Sequence, residues 1–197
     1  MRKKRWISII LFAVVVAACA PQAAAEVSQV EEAAIAEPAM AEPGTELAEF
    51  NIPGEFEIKL YQGQNVYGSD VVSISSIFAE GKPVVINFYA GMCPTCIVEL
   101  PRLQAACDQY GDQVNFVLVD IGPFVGLGTE RDGANMLEAV KADIPGGMPL
   151  SVEVIRDYGI LGTPSVLFFF PDGTLHLQYA GLIQQEQINE AITAILQ

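Results

Sequence analysis

Three short apolar runs, Val84–Tyr89, Val114–Asp120 and Ser165–Phe170, constrain this chain more than any other feature. Each is nearly continuous rather than alternating, the pattern of a strand covered on both faces. A sheet of such strands needs helices on both sides, and the intervening segments supply them. A helix is expected over Pro94–Tyr110, interrupted by Pro101, and a second over Thr129–Ala142, broken by Pro145-Gly146-Gly147. Ser151 reads as the N-cap of a helix ending at Tyr158-Gly159. Pro171-Asp172-Gly173 turns the chain into Leu175–Tyr179, antiparallel to the run before it. In the last helix Ile188, Ala191, Ile192, Ile195 and Leu196 follow the stripe of an amphipathic face. Ahead of the first run, Phe56–Leu60 alternates as a strand, Gln62-Gly63-Gln64-Asn65 turns, and a second short strand is expected near Val66. A short helix is expected over Ser75–Glu80. The order β-β-β-α-β-α-β-β-α predicts an α/β domain over residues 51–197, with a mixed central sheet, helices on both faces and an N-terminal β-hairpin extension.

The beginning of the chain has a different character. Arg2, Lys3, Lys4 and Arg5 precede an apolar run of 13 residues, Trp6–Ala18. Crossing a bilayer takes about 20 such residues, so the run has the proportions of a secretory signal, over residues 1–18. It ends in Val16-Ala17-Ala18-Cys19, which resembles the bacterial lipobox. That resemblance implies cleavage before Cys19, a diacylglycerol on its sulfur, and a protein held on a membrane face outside the cytoplasm. The alternative is an ordinary cleaved signal with Cys19 a bystander. Residues 19–50 then read as a tether: ten Ala, seven Glu and three Pro fill 20 of the 31 positions from Ala20 to Phe50. Such a composition cannot bury enough surface to offset chain entropy, and as a coil it would span about 30 Å.

Charge excludes one class of partner. The chain carries 24 acidic and 10 basic side chains, and four of the ten lie in the first five positions. A surface this acidic repels phosphate backbones, so nucleic acid is not an expected partner. With 17 Gly showing no three-residue period and four Cys, collagen-like and disulfide-framework readings fail as well.

The chemistry concentrates in Cys93-Pro94-Thr95-Cys96. Half of a zinc site would need a second pair or histidines, and the chain offers only Cys107 and His176. A copper(I) hook is a second reading, with Met92 beside Cys93 and Cys96 as soft ligands. The third is a redox pair at a strand-to-helix junction. Here the helix N-terminus, with its unpaired N–H groups and positive dipole end, stabilises the thiolate that acts as nucleophile.

The residues Phe88-Tyr89-Ala90-Gly91-Met92-Cys93-Pro94-Thr95-Cys96, then Glu99 and Pro101, then Tyr158-Gly159-Ile160-Leu161-Gly162-Thr163-Pro164, resemble the thioredoxin family. Within it they are most similar to the extracytoplasmic, membrane-anchored branch of TlpA/ResA-like reductases, over about Phe50–Gln197. The resemblance implies a thioredoxin-like fold. It implies that Cys93 attacks and Cys96 resolves, that Pro101 kinks the helix, and that Pro164 is a cis proline facing the disulfide. Met92, Pro94, Thr95, Thr163 and Pro164 would line the substrate groove, with Thr163 offering backbone hydrogen bonds. Glu99 would handle protons near the thiols; the plainer alternative is a solvated carboxylate on a helix face. Two departures stand out: Met92 replaces a common Trp before the first Cys, and Asn87 stands where thioredoxin has a buried Asp. Tyr89 fills another frequent Trp position. Cys107 reads as a small buried hydrophobe, His176 as an exposed side chain, and Asp120 as a strand-ending residue with no legible role. The peroxiredoxin pattern is absent.

The expectation is a lipid-anchored thiol–disulfide oxidoreductase with no cofactor or metal beyond its own Cys93/Cys96 dithiol. The branch favours reduction of a disulfide-containing protein substrate, such as apocytochrome c or a copper-centre assembly protein, recharged by a membrane thiol transporter. Alternatives are a disulfide-donating oxidase using the same site, the copper(I) carrier, and a redox-silent interaction module, which the intact Cys pair argues against.

Overall fold

Residues 50–197 are described by the structure, a computed structural model. The expected signal segment 1–18, Cys19 and the tether as far as residue 49 lie outside the described residues. The elements in chain order are β1 (Glu57–Gln62), α1 (Gln64–Tyr67), β2 (Val71–Ser73), α2 (Ile74–Phe78), β3 (Val84–Tyr89), α3 (Pro94–Tyr110) and β4 (Asn115–Asp120). They continue with α4 (Gly122–Val125), α5 (Glu130–Val140), β5 (Gly146–Pro149), α6 (Glu153–Asp157), β6 (Ser165–Phe169), β7 (Leu175–Ala180) and α7 (Gln185–Ile195).

The apolar runs become the three central strands, β3, β4 and β6. Every residue of β3 and of β6 is buried, because helices cover the sheet on both sides. The seven strands lie in the order β2-β1-β5-β4-β3-β6-β7. Strand β3 is parallel to β4 and antiparallel to β6, and β4 is parallel to β5, so the sheet is mixed as expected. Period-two alternation sorts the side chains of β3 between two cores. Val84, Ile86 and Phe88 join Ile74, Ile77 and Phe78 of α2 and Val154 of α6. Val85 and Tyr89 join Leu100 and Leu103 of α3, Leu137 of α5, and Ile188 and Ile192 of α7. Asn87 lies between Val85 and Tyr89 in that alternation and therefore faces α3.

Four local expectations are corrected. Val66 lies in helix α1, not in a strand; Gly63 and Gly68 bracket the helix with φ of 89° and 67°. The strand that closes the hairpin is β2, whose three residues carry too little alternation to be read. Pro145-Gly146-Gly147 is not merely a breaker, since Gly146 opens β5. A Cβ on Gly147 would strike the Lys59 carbonyl and the Leu60 backbone, so the missing side chain is what lets β5 pair with β1. The glycines thereby join the N-terminal hairpin to the central sheet. Ser151 precedes the observed N-cap, Val152, but its hydroxyl still accepts the Glu153 N–H at 3.1 Å. Helix α3 runs through Pro101 without a break. The carbonyl that Pro101 leaves without a donor belongs to Ile97, on the exposed face, where water can serve it.

The close approach at Gly147 makes a stability prediction. Gly147→Ala should cost about 1–3 kcal/mol by forcing β5 away from β1. Gly162→Ala, with open space around it, should stay within about 0.5 kcal/mol of wild type. Chemical denaturation midpoints of the two variants compare the costs directly.

Candidate active site

Register brings the site together before any side chain is considered. Phe88 pairs with Ser165 in the antiparallel β3–β6 ladder, and Tyr89 pairs with Asp120 in the parallel β3–β4 ladder. The loop leaving β3, the loop entering β6 and the end of β4 therefore share one end of the sheet. They carry Cys93, Thr163-Pro164 and Asp120. The Thr163–Pro164 peptide bond is cis.

Cys93 and Cys96 are joined as a disulfide with Cα atoms 5.3 Å apart. Cys93 is the N-cap of α3, and its sulfur accepts the Cys96 N–H at 3.2 Å. Pro94 occupies the first helical turn, where its missing N–H leaves no orphan, and Thr95 Oγ1 lies 3.3 Å from the Cys93 sulfur. The helix end thus points donors and a positive dipole end at that sulfur. The two cysteines differ in access: Cys93 keeps 3% of its surface exposed and Cys96 none. Around the site the large exposed side chains are apolar, beside the exposed Thr95. Met92 is 65% exposed and Leu161 95%, with Ile97 and Val98 on the outer face of α3.

Glu99, one turn beyond Cys96, is not a solvated helix-face carboxylate: it has no exposed surface. Its Oε1 accepts from Asn87 Nδ2 at 2.8 Å and its Oε2 from the Ile183 N–H at 2.9 Å. Burial pushes its carboxyl from 4.5 up to about 7, against these two hydrogen bonds and the Arg102 guanidinium, which favour the anion. Arg102 itself donates to the Ile183 carbonyl at 2.6 Å, so α3 grips both sides of the residue that leads into α7. Asn87 Oδ1 is buried with no partner. Rotating the amide would offer that oxygen to a protonated Glu99, so Asn87 can serve either protonation state. The sequence placed Asn87 at the former Asp position but did not show what it would bind.

Asp120, unassigned from sequence, is also fully buried. Its Oδ1 accepts the Gly122 N–H at 2.9 Å and its Oδ2 the Tyr61 hydroxyl at 3.2 Å. Burial raises its carboxyl to about 6. A carboxylate ending a buried run, with glycines at 91, 122 and 133, is the signal that could have drawn attention to it.

The remaining candidates lie away from this chemistry. Cys107 is half-buried and free, and burial, then Asp143 and Asp108, push its thiol up to about 11, where little thiolate forms at neutral pH. His176 is exposed on edge strand β7 and stacks edge-on against Phe170. Among the described residues no three His, Cys, Asp or Glu side chains group as a metal site. Also among the described residues, no helix is long and apolar enough to cross a membrane.

A family profile described as thioredoxin-like domain matches residues 72–196. The thiol:disulfide interchange protein DsbE of Pasteurella multocida is 28% identical over 123 residues, 61% of this chain and 63% of that protein. The sporulation thiol-disulfide oxidoreductase A of Bacillus subtilis is 24% identical, over 71% of this chain and 78% of its own length. The chain thus spans under two thirds of the length of the first of these relatives. Among solved structures, StoA of B. subtilis superposes with a TM-score of 0.57 at 22% identity, covering 71% of this chain and 97% of its own. The exposed lipoprotein thioredoxin of Streptococcus pneumoniae gives 0.56 at 23% identity, covering 72% and 99%. These likenesses show the fold.

The buried Glu99 makes a pH prediction. Its folded value lies above its unfolded one, so the native state binds the extra proton and stability falls as pH rises from about 4.5 to about 7. Glu99→Gln should remove that slope: near neutral in effect at pH 4.5, and stabilising by up to about 3 kcal/mol at pH 8. The Gln amide can donate to the orphaned Asn87 Oδ1 while its oxygen keeps the Ile183 bond. Denaturation curves of both proteins across pH 4–8 check the sign.

Proposed function

This chain belongs to the thioredoxin-like domain family, and from that premise we propose that it is a thiol–disulfide oxidoreductase that works through Cys93 and Cys96. The observation that carries the reading is the asymmetry of the pair. Cys93, which keeps 3% of its surface exposed, caps the 17-residue helix α3 and its sulfur receives the Cys96 N–H, while Cys96 is fully buried. A thiolate stabilised at the helix end is the natural attacker, and a hidden thiol three residues on is a resolver that outside thiols cannot reach.

In the reducing direction the Cys93 thiolate attacks one sulfur of a substrate disulfide. The substrate S–S bond breaks, a mixed disulfide forms, and the departing substrate thiolate takes up a proton. Cys96 then loses its proton and attacks the Cys93 sulfur, expelling the second substrate thiolate. Two electrons pass from the dithiol to the substrate, and the protein is left as the Cys93–Cys96 disulfide. Glu99, one turn from Cys96 and with a carboxyl that titrates near neutrality, is suited to take the Cys96 proton. Met92, Pro94, Thr95, Thr163 and Pro164 form the surface that receives the substrate chain, and its lack of charge suits an apolar stretch flanking the target cysteine. The dithiol is the only redox group the reaction requires.

The sequence before the domain supports a place outside the cytoplasm, with a lipid on Cys19 holding the protein at a membrane. There a reductant must be recharged, which assigns the electron supply to a membrane thiol transporter. Disulfide-containing proteins of the cytochrome c or copper-centre assembly type are the proposed substrates. Reduction is favoured over disulfide donation by the branch that the sequence resembles.

The test is the equilibrium potential of the Cys93/Cys96 couple against dithiothreitol or glutathione. A value near or below that of thioredoxin, about −270 mV, is expected; one near −120 mV would make the protein a disulfide donor. Cys93→Ser should abolish the couple, and Cys96→Ser should trap a mixed disulfide with substrate. The absence of any reversible couple would favour copper(I) binding through Cys93, Cys96 and Met92. Cys19→Ser in the native host should move the protein from the membrane to the soluble fraction, read by detergent partitioning.

A further inference from the structure

Beyond the thiols and Glu99, the turn that carries Cys93 has a second buried carboxylate behind it. The turn is closed by the Cys93 N–H donating to the Ala90 carbonyl at 3.0 Å. Of its two inner residues, Met92 is held from outside: its N–H donates to the Leu127 carbonyl at 2.8 Å. Leu127 is itself fixed by Asp120 at one remove: its N–H donates to the Gly122 carbonyl at 3.0 Å, and the Gly122 N–H donates to Asp120 Oδ1 at 2.9 Å. The carboxylate therefore clamps the turn through α4 and Leu127, at the Met92 N–H. Glycines keep the clamp closed. A Cβ on Gly91 would strike the backbone of Asp132 and Gly133, and a Cβ on Gly133 would strike Asp120 itself.

We propose that Asp120 is a positioning residue for Cys93, setting the reactivity of its thiol by fixing the Gly91–Cys93 turn and by placing a negative charge behind it. This rests on the reading of Cys93 as the attacking thiol. A Cβ on Gly122 would lie 2.9 Å from Asp120 Oδ1 and 3.2 Å from the Gly91 nitrogen, so the carboxylate sits beside the turn, and Gly91 and Cys93, with one residue between them, have Cα atoms within about 7.6 Å. An anion at that range and partly shielded from water opposes formation of a thiolate on Cys93. It counters the helix end, which favours the thiolate, so the two together set how acidic the attacking thiol is. Tyr61 of β1 donates to the carboxylate from below, at 3.2 Å, and so ties the N-terminal hairpin to the site. The other titratable groups facing this region are Tyr89 of β3, and Glu130 and Asp132 of α5, with Lys59 paired to Glu130 at 3.1 Å. Asp132 adds to the negative potential on Asp120, and burial holds the Asp120 carboxyl at about 6, so its charge changes just below neutrality.

Asp120→Asn keeps the shape and an acceptor for the backbone donors but removes the charge. In the reduced full chain carrying Cys96→Ser, Cys93 is the one thiol in its tryptic peptide, and its alkylation by iodoacetamide can be followed against pH by mass spectrometry. Asp120→Asn should move the midpoint of that profile down by about half a pH unit or more. Tyr61→Phe, which keeps the Gly122 N–H bond but stabilises the Asp120 anion less, should move it the same way by less. A role confined to stability would lower the denaturation midpoint of Asp120→Asn and leave the alkylation profile unchanged, and that result overturns the inference. Should Asp120→Asn fail to fold, an unmoved profile in Tyr61→Phe overturns it equally. The potential of the wild-type couple separates the two levels. A normal couple with unmoved profiles refutes the role of Asp120 alone, whereas a wild type with no couple refutes the attacking role of Cys93 and this inference with it.

Discussion

Glu99 accepts hydrogen bonds from the amide of Asn87 on the central strand and from the N–H of Ile183 ahead of the last helix, while its own helix carries both cysteines. The sheet, α3 and the entry to α7 therefore meet at one carboxylate with no access to water. Burying a carboxyl this way is expensive unless its oxygens are satisfied or it takes up a proton. The site does both in part: two donors reach the oxygens, and the remaining cost appears as a carboxyl that titrates near 7. The same burial that weakens the native state at high pH is what raises the proton affinity of the group.

A second carboxylate at the same end of the sheet does different work. Asp120 ends β4 level with Tyr89 and receives the Gly122 N–H of α4 together with the Tyr61 hydroxyl. Glu99 stands behind Cys96 on the helix, and Asp120 stands behind the turn that presents Cys93. The two acids thus bracket the dithiol from separate elements. Their environments also differ: amide and backbone donors surround Glu99, whereas Asp120 sits among glycines and beside two tyrosines. The outer surface of the site is the reverse, with Met92, Ile97, Val98 and Leu161 exposed and no charge among them. Acid groups lie inside and large apolar groups outside.

Backbone geometry supports this arrangement from further away. Gly147 allows β5 to close on β1, and that pairing attaches the N-terminal hairpin, with Tyr61 in β1, to the parallel core of the sheet. Without it Tyr61 would have no fixed position under Asp120. Gly91 and Gly133 act at shorter range by letting the Cys93 turn and α5 come into contact. These positions punctuate the sequence as breakers, yet in the fold they are the points where two backbones touch.

The buried strands, the helices between them and the Cys93-Pro94-Thr95-Cys96 junction were legible in the chain, because each depends on residues adjacent in sequence or one turn apart. Hydrophobic runs, a proline in the first turn and an amphipathic stripe act locally, so their signal survives without coordinates. What the sequence could not reveal depends on residues far apart. Glu99 reads as a surface acid until Ile183, 84 positions away, covers it. Asp120 has no partner within its own strand and acquires Tyr61 only when β5 joins β1 to β4 in one sheet. Gly146 and Gly147 look like a loop until Lys59 and Leu60 arrive opposite them. Composition and local periodicity determined which elements form and where the thiols sit. Tertiary packing decided which acids are deprived of water, and therefore which of them carry perturbed proton affinities beside the disulfide.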